Sequence, residues 1–153
     1  MLPFRSQPPT PRLREGYRLV SDEPPPVEAL NRLRQACGEP PRRPELWQRA
    51  LARSHGQFAV LNGENRLCGF LRITSDQALN ANLWDLLSDP ADPAREEVIT
   101  ALLQAALARL RRDLSGCSVS VSAPPEALAA LSRAGFVVDP GGIRAMGRHL
   151  RDS

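Results

Sequence analysis

Lysine is absent from the sequence, and all 20 basic residues are arginines. A mechanism that needs a Lys nucleophile or a Lys Schiff base is therefore excluded. Long apolar runs are also missing, and none approaches the roughly 20 residues that a helix needs to cross a bilayer. We expect no membrane partner. The arginines alternate with 17 acidic residues and leave a net charge of only +3, so a nucleic-acid partner is not favoured.

Paired cysteines and metal-ligand spacings are missing as well. The three cysteines, Cys37, Cys68 and Cys117, are far apart and form no Cys-x-x-Cys motif. This pattern favours free thiols over disulfides or a zinc knuckle, and it fits a reducing, cytoplasmic location. His55 and His149 have no partner at metal-ligand spacing, so we expect no metal.

The length and composition predict one domain. The chain has 153 residues, of which 42% are hydrophobic, and this is enough for one buried core. Residues 1–16 are rich in Pro and Arg and have no apolar signal-peptide core. We predict a disordered leader over residues 1–16 and a single domain over residues 17–150.

Periodicity and turn residues predict the elements along the chain. Strands are expected at residues 17–20, 57–61, 66–74, 81–88, 117–123, 136–138 and 143–150, and helices at 27–37, 44–54, 93–110 and 124–134. Asn62-Gly63 is a strong hairpin signal between two of the strands. This order predicts an α/β (α+β) fold with a mixed, mostly antiparallel sheet of six to seven strands and helices on both faces.

The third of the four helices has the strongest periodic signal. Apolar residues recur on one face at Ile99, Leu102, Leu103, Ala106, Leu107 and Leu110. Asp92 is predicted as its N-cap and Pro93 as its first residue. In the fourth helix, Leu128 and Leu131 are predicted to face inward.

Two stretches of the sequence resemble a known family. Residues 74–90 read TSDQALNANLWDLLSDP, and Ala134-Gly135-Phe136 is followed by DPGGIRAM over residues 139–146. Together with the element order, these stretches resemble the GNAT superfamily of N-acetyltransferases, in its plastid and cyanobacterial branch, over about residues 17–148. The resemblance implies transfer of an acetyl group from acetyl-CoA to an amine, carried by a small molecule or a protein.

The resemblance also implies where the site lies. Residues 84–88 would separate from the strand at 117–122 and bind the pantetheine arm through free backbone groups. The segment Leu86, Leu87, Ser88 would supply this contact, and Asp85 would act as the general base. A glycine-rich turn ahead of the next helix would hold the pyrophosphate, which implies contacts from Arg95, Glu96, Glu97 and Val98.

The sequence departs from the family pattern at this turn. No glycine occurs from Asp89 to Ser115, and either Glu96 or Glu97 falls at a glycine position. A carboxylate there repels pyrophosphate, although Arg95 could contact it. In the alternative interpretation, both acids only stabilise the first turn of the helix.

Two catalytic groups are also in question. The family's leaving-group Tyr would fall near Ala130-Leu131, and Tyr17 is the one tyrosine in the chain. Asp85 has a structural interpretation too, as a hydrogen-bonding residue of its strand. We therefore keep two hypotheses, an acetyltransferase and a catalytically inactive GNAT-fold binding or regulatory protein. An Arg-rich RNA-associated protein is a third, less favoured one, and a homodimer is left open.

Overall fold

The computed structural model describes residues 12–151. Five strands and four helices make up the described part of the chain. The strands are β1 (Arg18–Ser21), β2 (Gly56–Leu61), β3 (Leu67–Ser75), β4 (Asn80–Ser88) and β5 (Ser118–Val121). The helices are α1 (Val27–Ala36), α2 (Pro44–Ala52), α3 (Arg95–Asp113) and α4 (Leu128–Arg133), with 3₁₀ turns at Pro125–Ala127 and Pro140–Gly142.

The strands form one sheet in the order β1-β2-β3-β4-β5. The first four pair antiparallel with their sequence neighbours, as the predicted mostly antiparallel sheet requires. Helix α3 connects β4 to β5, and these two strands run parallel. The prediction of a mixed, mostly antiparallel sheet with helices on both faces is confirmed.

Each face of the sheet carries its own apolar layer. On one face, α3 and α4 pack on the sheet through Ile99, Leu102, Leu103 and Leu131. On the other face, α1 and α2 pack on Phe70 and Leu87, with Trp47 fully buried. The periodicity of α3 is confirmed, since most of its apolar residues are buried. Strand β4 therefore lies between α3 on one face of the sheet and α1 on the other.

The sheet has five strands, not the six to seven that the sequence predicts. The predicted strands at residues 136–138 and 143–150 are wrong, because the described residues of this segment form only a 3₁₀ turn and extended chain without a partner strand. Val137, Val138, Ile143, Met146 and Leu150 are all at least 72% exposed. Strand residues are stabilised mainly by their neighbours, and this segment has none.

Two further predictions concern helix ends and faces. Helix α3 begins at Arg95 with Ala94 as its N-cap, so the predicted start at Asp92-Pro93 is two residues too early. In α4, Leu131 is buried as predicted, but Leu128 is 48% exposed because Ala127 and Ala130 supply the inner face instead.

The structure describes the last five residues of the predicted leader, 12–16. Residues 1–11 of the leader lie outside the described residues. Of the remainder, Leu13 packs against the core and Arg14 bonds to Glu97, so these two residues belong with the domain. Over residues 12–151, no helix has both the length and the apolar character to cross a membrane.

Candidate functional site

Strands β4 and β5 diverge at the middle of β4. Their parallel pairing runs from Asn80 opposite Ser118 to Leu83 opposite Val121, and it ends there. The stretch Trp84–Ser88 continues beside β3 but has no strand on its other side among residues 12–151. Its backbone groups have no strand partner on that side and could pair with an extended ligand. The separation that the family resemblance implies at residues 84–88 is present.

A β-bulge shapes the start of this stretch. Two residues of β4, Asp85 and Leu86, lie opposite one residue of β3, because the register shifts between Phe70 and Arg72. Asp85 has a φ of 54°, a left-handed conformation that Asp adopts more readily than most residues. The extra residue directs the Asp85 side chain towards α1, while Leu86 packs on the α3 side.

Three guanidinium groups converge on Asp85. Arg42, from the loop between α1 and α2, places its Nη2 2.8 Å from Oδ1 of Asp85. Arg72 of β3 donates its Nε to Oδ2 at 2.9 Å, and Arg34 of α1 places Nη1 3.4 Å from Oδ1. The side chain of Asp85 is only 5% exposed. We call Arg34, Arg42 and Arg72 the arginine cluster.

These contacts decide the protonation state of Asp85. Burial alone would raise its pKa, but the hydrogen bonds and charges of Arg42 and Arg72 outweigh it and hold the pKa below its ordinary value. A general base works best when its pKa lies near the operating pH. The geometry therefore favours the structural interpretation of Asp85, and its role as a base stays a prediction.

The segment between β4 and α3, residues 89–94, uses its own side chains to occupy backbone donors. Asp89 accepts the N–H of Ala91 at 2.9 Å through Oδ1, and Asp92 accepts the N–H of Ala94 at 2.8 Å in the same way. Such Asx turns are typical of Asp in loops. The two prolines of the segment have no N–H to offer.

The remaining donors of this segment bond to carbonyl groups. The N–H of Asp89 bonds to Cys68, that of Asp92 to Asp89, and that of Arg95 to Asp92, at 2.9, 3.1 and 3.2 Å. Every backbone N–H from Asp89 to Arg95 is thus occupied within the protein. A diphosphate needs several free N–H groups at this point, and the segment does not fit one.

Arg95 spans the open end of the gap between β4 and β5. Its Nε donates to Oγ of Ser88 at 3.1 Å, and its Nη2 bonds to Glu126 at 3.0 Å. Ser88 ends β4, and Glu126 lies in the 3₁₀ turn after β5. The thiol of Cys37 also bonds to the carbonyl of Ser88, at 3.3 Å. A phosphate at this point would compete with Glu126 for the Nη2 group of Arg95.

The side chains of the other predicted contact residues are buried, paired or exposed to solvent, and the backbone contact of Leu86 and Leu87 stays a prediction. Val98 is fully buried against the sheet, and Leu86 and Leu87 are buried in opposite apolar layers. Glu97 pairs with Arg14 at 2.6 Å, and Glu96 is exposed. In the described part of the chain, the backbone N–H groups of Glu96 and Glu97 have no acceptor.

No tyrosine is placed to protonate a leaving thiolate. Ala130 and Leu131 are buried, as apolar helix residues. The hydroxyl of Tyr17 donates to Asp92 at 2.7 Å, and this hydrogen bond, with burial, raises the pKa of Tyr17 to about 12. Tyr17 therefore fastens the start of the domain to segment 89–94.

Sequence reasoning missed the arginine cluster and the Asx turns. The repeated Asp-Pro of segment 89–94 could have indicated the turns, because Asp side chains often bond to a backbone N–H two residues on. The cluster had no local signal, since its arginines come from three elements. No set of three or more His, Cys, Asp or Glu residues in the described range is placed to hold a metal.

Comparison with known proteins gives the same fold and a set of relatives. The histone acetyltransferase TAP1 of Glycine max is 33% identical over 104 residues, covering 63% of this chain and 40% of that protein. The chloroplastic serotonin N-acetyltransferase 2 of Oryza sativa subsp. japonica is 31% identical over 126 residues, covering 78% of this chain and 60% of that protein. No protein-family model matches the chain.

Solved structures show the same architecture. A GNAT-family acetyltransferase of Streptococcus pneumoniae superposes with a TM-score of 0.69 at 19% identity, covering 89% of this chain and 99% of that one. The chain belongs to the GNAT superfamily.

Several relatives of this GNAT chain are named as chloroplastic, so the predicted resemblance to the plastid branch is confirmed. Their names do not test the cytoplasmic location, which stays a prediction. The chain spans 34–40% of the length of the first three curated relatives.

Proposed function

We propose that the chain is a GNAT-like N-acetyltransferase that moves an acetyl group from acetyl-CoA to an amine of a small molecule or a protein. The observation that carries the proposal is the divergence of β4 from β5 beyond Leu83, which leaves Trp84–Ser88 unpaired on one side. A pantetheine arm carries amide groups that can pair with such a strand in the way a peptide pairs with a sheet edge.

In this reaction the amine nitrogen attacks the thioester carbonyl carbon, and the carbon–sulfur bond then breaks. The amine proton passes to water, because Asp85 is held as a paired carboxylate. The departing thiolate also takes its proton from water, since Ala130 and Leu131 offer none. Because neither proton transfer uses a side chain of the protein, we expect slow turnover.

The diphosphate of acetyl-CoA would contribute little to binding. The N–H groups of segment 89–94 are occupied, and the next two without an acceptor among residues 12–151 are those of Glu96 and Glu97. Both residues are acidic, and their charge opposes a diphosphate. Arg95 lies at the open end of the gap, and it is paired with Glu126. We therefore propose that pantetheine supplies most of the affinity.

The second candidate is a GNAT-fold protein that has lost catalysis and serves as a binding or regulatory partner. The occupied donors of segment 89–94 favour this function. The Arg95–Glu126 pair favours it as well, because it lies across the gap that the cofactor arm would enter.

Calorimetric titration separates the two functions. Acetyl-CoA and S-acetylpantetheine, which lacks the diphosphate, should bind with affinities within about tenfold of each other, since one tenfold step equals about 1.4 kcal/mol. Glu126→Gln frees Arg95 and should strengthen the binding of acetyl-CoA but not of S-acetylpantetheine. Glu45→Gln, which removes an exposed carboxylate of α2 that has no hydrogen bond or ion pair among residues 12–151, is the matched control.

Mass spectrometry of a mixture of amines incubated with acetyl-CoA tests the transfer itself. An acetylated product that needs the protein supports the first function. If neither thioester binds to the native chain or to Glu126→Gln, the acetyltransferase proposal fails and the binding protein is favoured.

A further inference from the structure

The arginine cluster carries more positive charge than its acids neutralise. Three guanidinium groups face the single carboxylate of Asp85, and the second acid nearby, Glu39, lies 3.6 Å from Arg34 with its side chain 56% exposed. Three positive and two negative charges leave a formal excess of +1. The cluster thus carries a net positive charge.

This excess charge is largely removed from water. The side chains of Arg34, Arg72 and Arg42 are 8%, 14% and 33% exposed. Burial, and next the positive charge of Arg42, lower the pKa of Arg34. Charges taken out of water cost free energy unless opposite charges and hydrogen bonds compensate, and a bound anion would supply both.

Hydrogen-bond donors remain for such an anion. Arg72 uses Nε towards Asp85, and within residues 12–151 neither of its Nη groups makes a hydrogen bond. Arg42 contacts Asp85 through Nη2 and stacks over the Trp47 ring at 4.6 Å, which holds its plane in place. Planar guanidinium groups with free N–H bonds are suited to carboxylate and phosphate oxygens.

The cluster lies beside the unpaired stretch of β4. Arg72 is paired in register with Trp84, the first residue of that stretch, and the Trp84 side chain is 40% exposed. Asp85, which the cluster surrounds, is the next residue. An anion held by Arg42 and Arg72 would therefore lie next to the place where the proposed thioester meets its acceptor.

We propose that Arg42 and Arg72 bind an anionic group, a carboxylate or a phosphate, and that this group belongs to the acceptor amine. The assignment of the anion to an acceptor rests on the proposed acetyltransferase function, whereas anion binding itself does not. Arg34, which is more deeply buried and bonds to the Pro40 carbonyl at 2.8 Å, positions Asp85 and its neighbours.

Anion binding is tested without acetyl-CoA. Inorganic phosphate should raise the melting temperature more than sodium chloride at equal ionic strength. Arg42→Gln and Arg72→Gln should each weaken phosphate binding about tenfold or more, as expected for lost hydrogen bonds to a charged group. Arg111→Gln changes an exposed arginine of α3 that has no hydrogen bond or ion pair within residues 12–151, and it should bind phosphate like the native chain.

Equal effects of phosphate and chloride on the native chain would overturn the proposal. The same holds if Arg111→Gln weakens phosphate binding as much as Arg42→Gln does. Should Arg72→Gln fail to fold, Arg42→Gln still decides, because the Arg42 side chain is the most exposed of the three.

Acceptor choice is tested with matched amines and acetyl-CoA. Glycine against glycinamide isolates a carboxylate, and O-phosphoethanolamine against ethanolamine isolates a phosphate. The anionic member of at least one pair should have the higher kcat/KM by about tenfold, and Arg42→Gln should remove the preference mainly through KM. If the neutral amines are acetylated equally well, the acceptor assignment is wrong. If no amine is acetylated, the proposed function fails, and the phosphate titration still decides whether the arginine cluster binds anions.

Discussion

At the scale of single residues, Asp85 is the side chain on which most of the site depends. It is 5% exposed, and it neutralises part of three guanidinium charges that come from α1, β3 and the loop between α1 and α2. Its left-handed backbone also forms the bulge that starts the unpaired part of β4. One residue thus links the charge balance of the site to its backbone geometry.

Asp85→Asn should lower the free energy of unfolding by about 3 kcal/mol, because removing one partner of a buried ion pair leaves the other charges uncompensated. Asn keeps the shape and tolerates the left-handed backbone, so the change isolates the charge. Urea denaturation at neutral pH measures the loss. Asp113→Asn removes a more exposed carboxylate from a surface pair and should cost less than about 1 kcal/mol.

The pH dependence of stability has a definite sign. Because the pKa of Asp85 is lower in the folded state than its ordinary value of 3.8, its contribution to stability is present above that value. The contribution is lost as the pH falls through the lower, folded-state pKa. The native chain should therefore lose more stability than Asp85→Asn between neutral pH and acid below about pH 4. Urea denaturation at each pH measures both proteins. If the native chain and Asp85→Asn lose the same free energy of unfolding on acidification, the charge balance described for the arginine cluster is wrong.

At the scale of elements, β3 and α3 approach unusually closely at Gly69. A Cβ added there would lie 2.3 Å from Cγ1 of Val98 and 3.1 Å from Cδ1 of Leu102. Both neighbours are fully buried and belong to the first two turns of α3. A glycine at this point of β3 lets the helix that follows segment 89–94 lie directly on the sheet.

Gly69→Ala should therefore lower the free energy of unfolding by about 1–3 kcal/mol, the usual cost of overpacking a core. The same substitution made in a Val98→Ala background should cost less, because the methyl group at 2.3 Å is removed. Gly63→Ala, where nothing lies within 4 Å, is the control and should change stability by less than about 0.5 kcal/mol. Equal losses from Gly69→Ala in both backgrounds would show that Val98 is not the obstacle.

The elements show which sequence signals were sufficient. The strict periodicity of α3 predicted that helix, because one buried face dictates its pattern. The apolar residues of β2 and β3, on either side of the Asn62-Gly63 turn signal, predicted the two strands, although both are buried on their two faces. The Asn62-Gly63 signal correctly predicted a hairpin, but its loop spans residues 62–66. The Asn62 side chain accepts the N–H groups of Glu64 and Arg66, and Asn65, not Gly63, has the positive φ.

The start of α3 and the arginine cluster could not be predicted correctly from the sequence. Asp92 and Pro93 are typical of a helix start, but the Asp92 side chain accepts the N–H of Ala94, and its second bond to Tyr17 involves a residue distant in sequence. The cluster depends on a bulge that turns Asp85 towards α1, and a bulge in a strand of this composition has no sequence signal. The separation of β4 from β5 at residues 84–88 was nevertheless predicted, through the resemblance at residues 74–90, and its contact with pantetheine stays a proposal.

At the scale of the whole molecule, the C-terminal segment contributes little to the described core. Residues 143–151 are all exposed, and several apolar side chains among them face solvent. The homodimer left open by the sequence would offer these side chains a surface, and it stays a proposal.

Truncation after Gly142 should lower the free energy of unfolding by less than about 1 kcal/mol, because no described residue beyond it is buried. Urea denaturation of the dilute protein measures the change. Sedimentation of both chains over a range of concentrations adds a second readout. A larger loss that grows with protein concentration would show that this segment stabilises an assembly of copies.

The strand order has a consequence for how the molecule opens and closes. Strands β2, β3 and β4 join through hairpins, whereas β5 reaches β4 only after the whole of α3, so its pairing closes a much longer loop. Only four residues of β5 pair at all. Amide hydrogens of Ser118–Val121 should exchange with deuterium sooner than those of β2 and β3, with the fastest rates nearest Val121. The wall of the gap opposite Trp84–Ser88 would then be the part of the sheet that detaches first, and the width of the gap would vary while the rest of the domain stays intact.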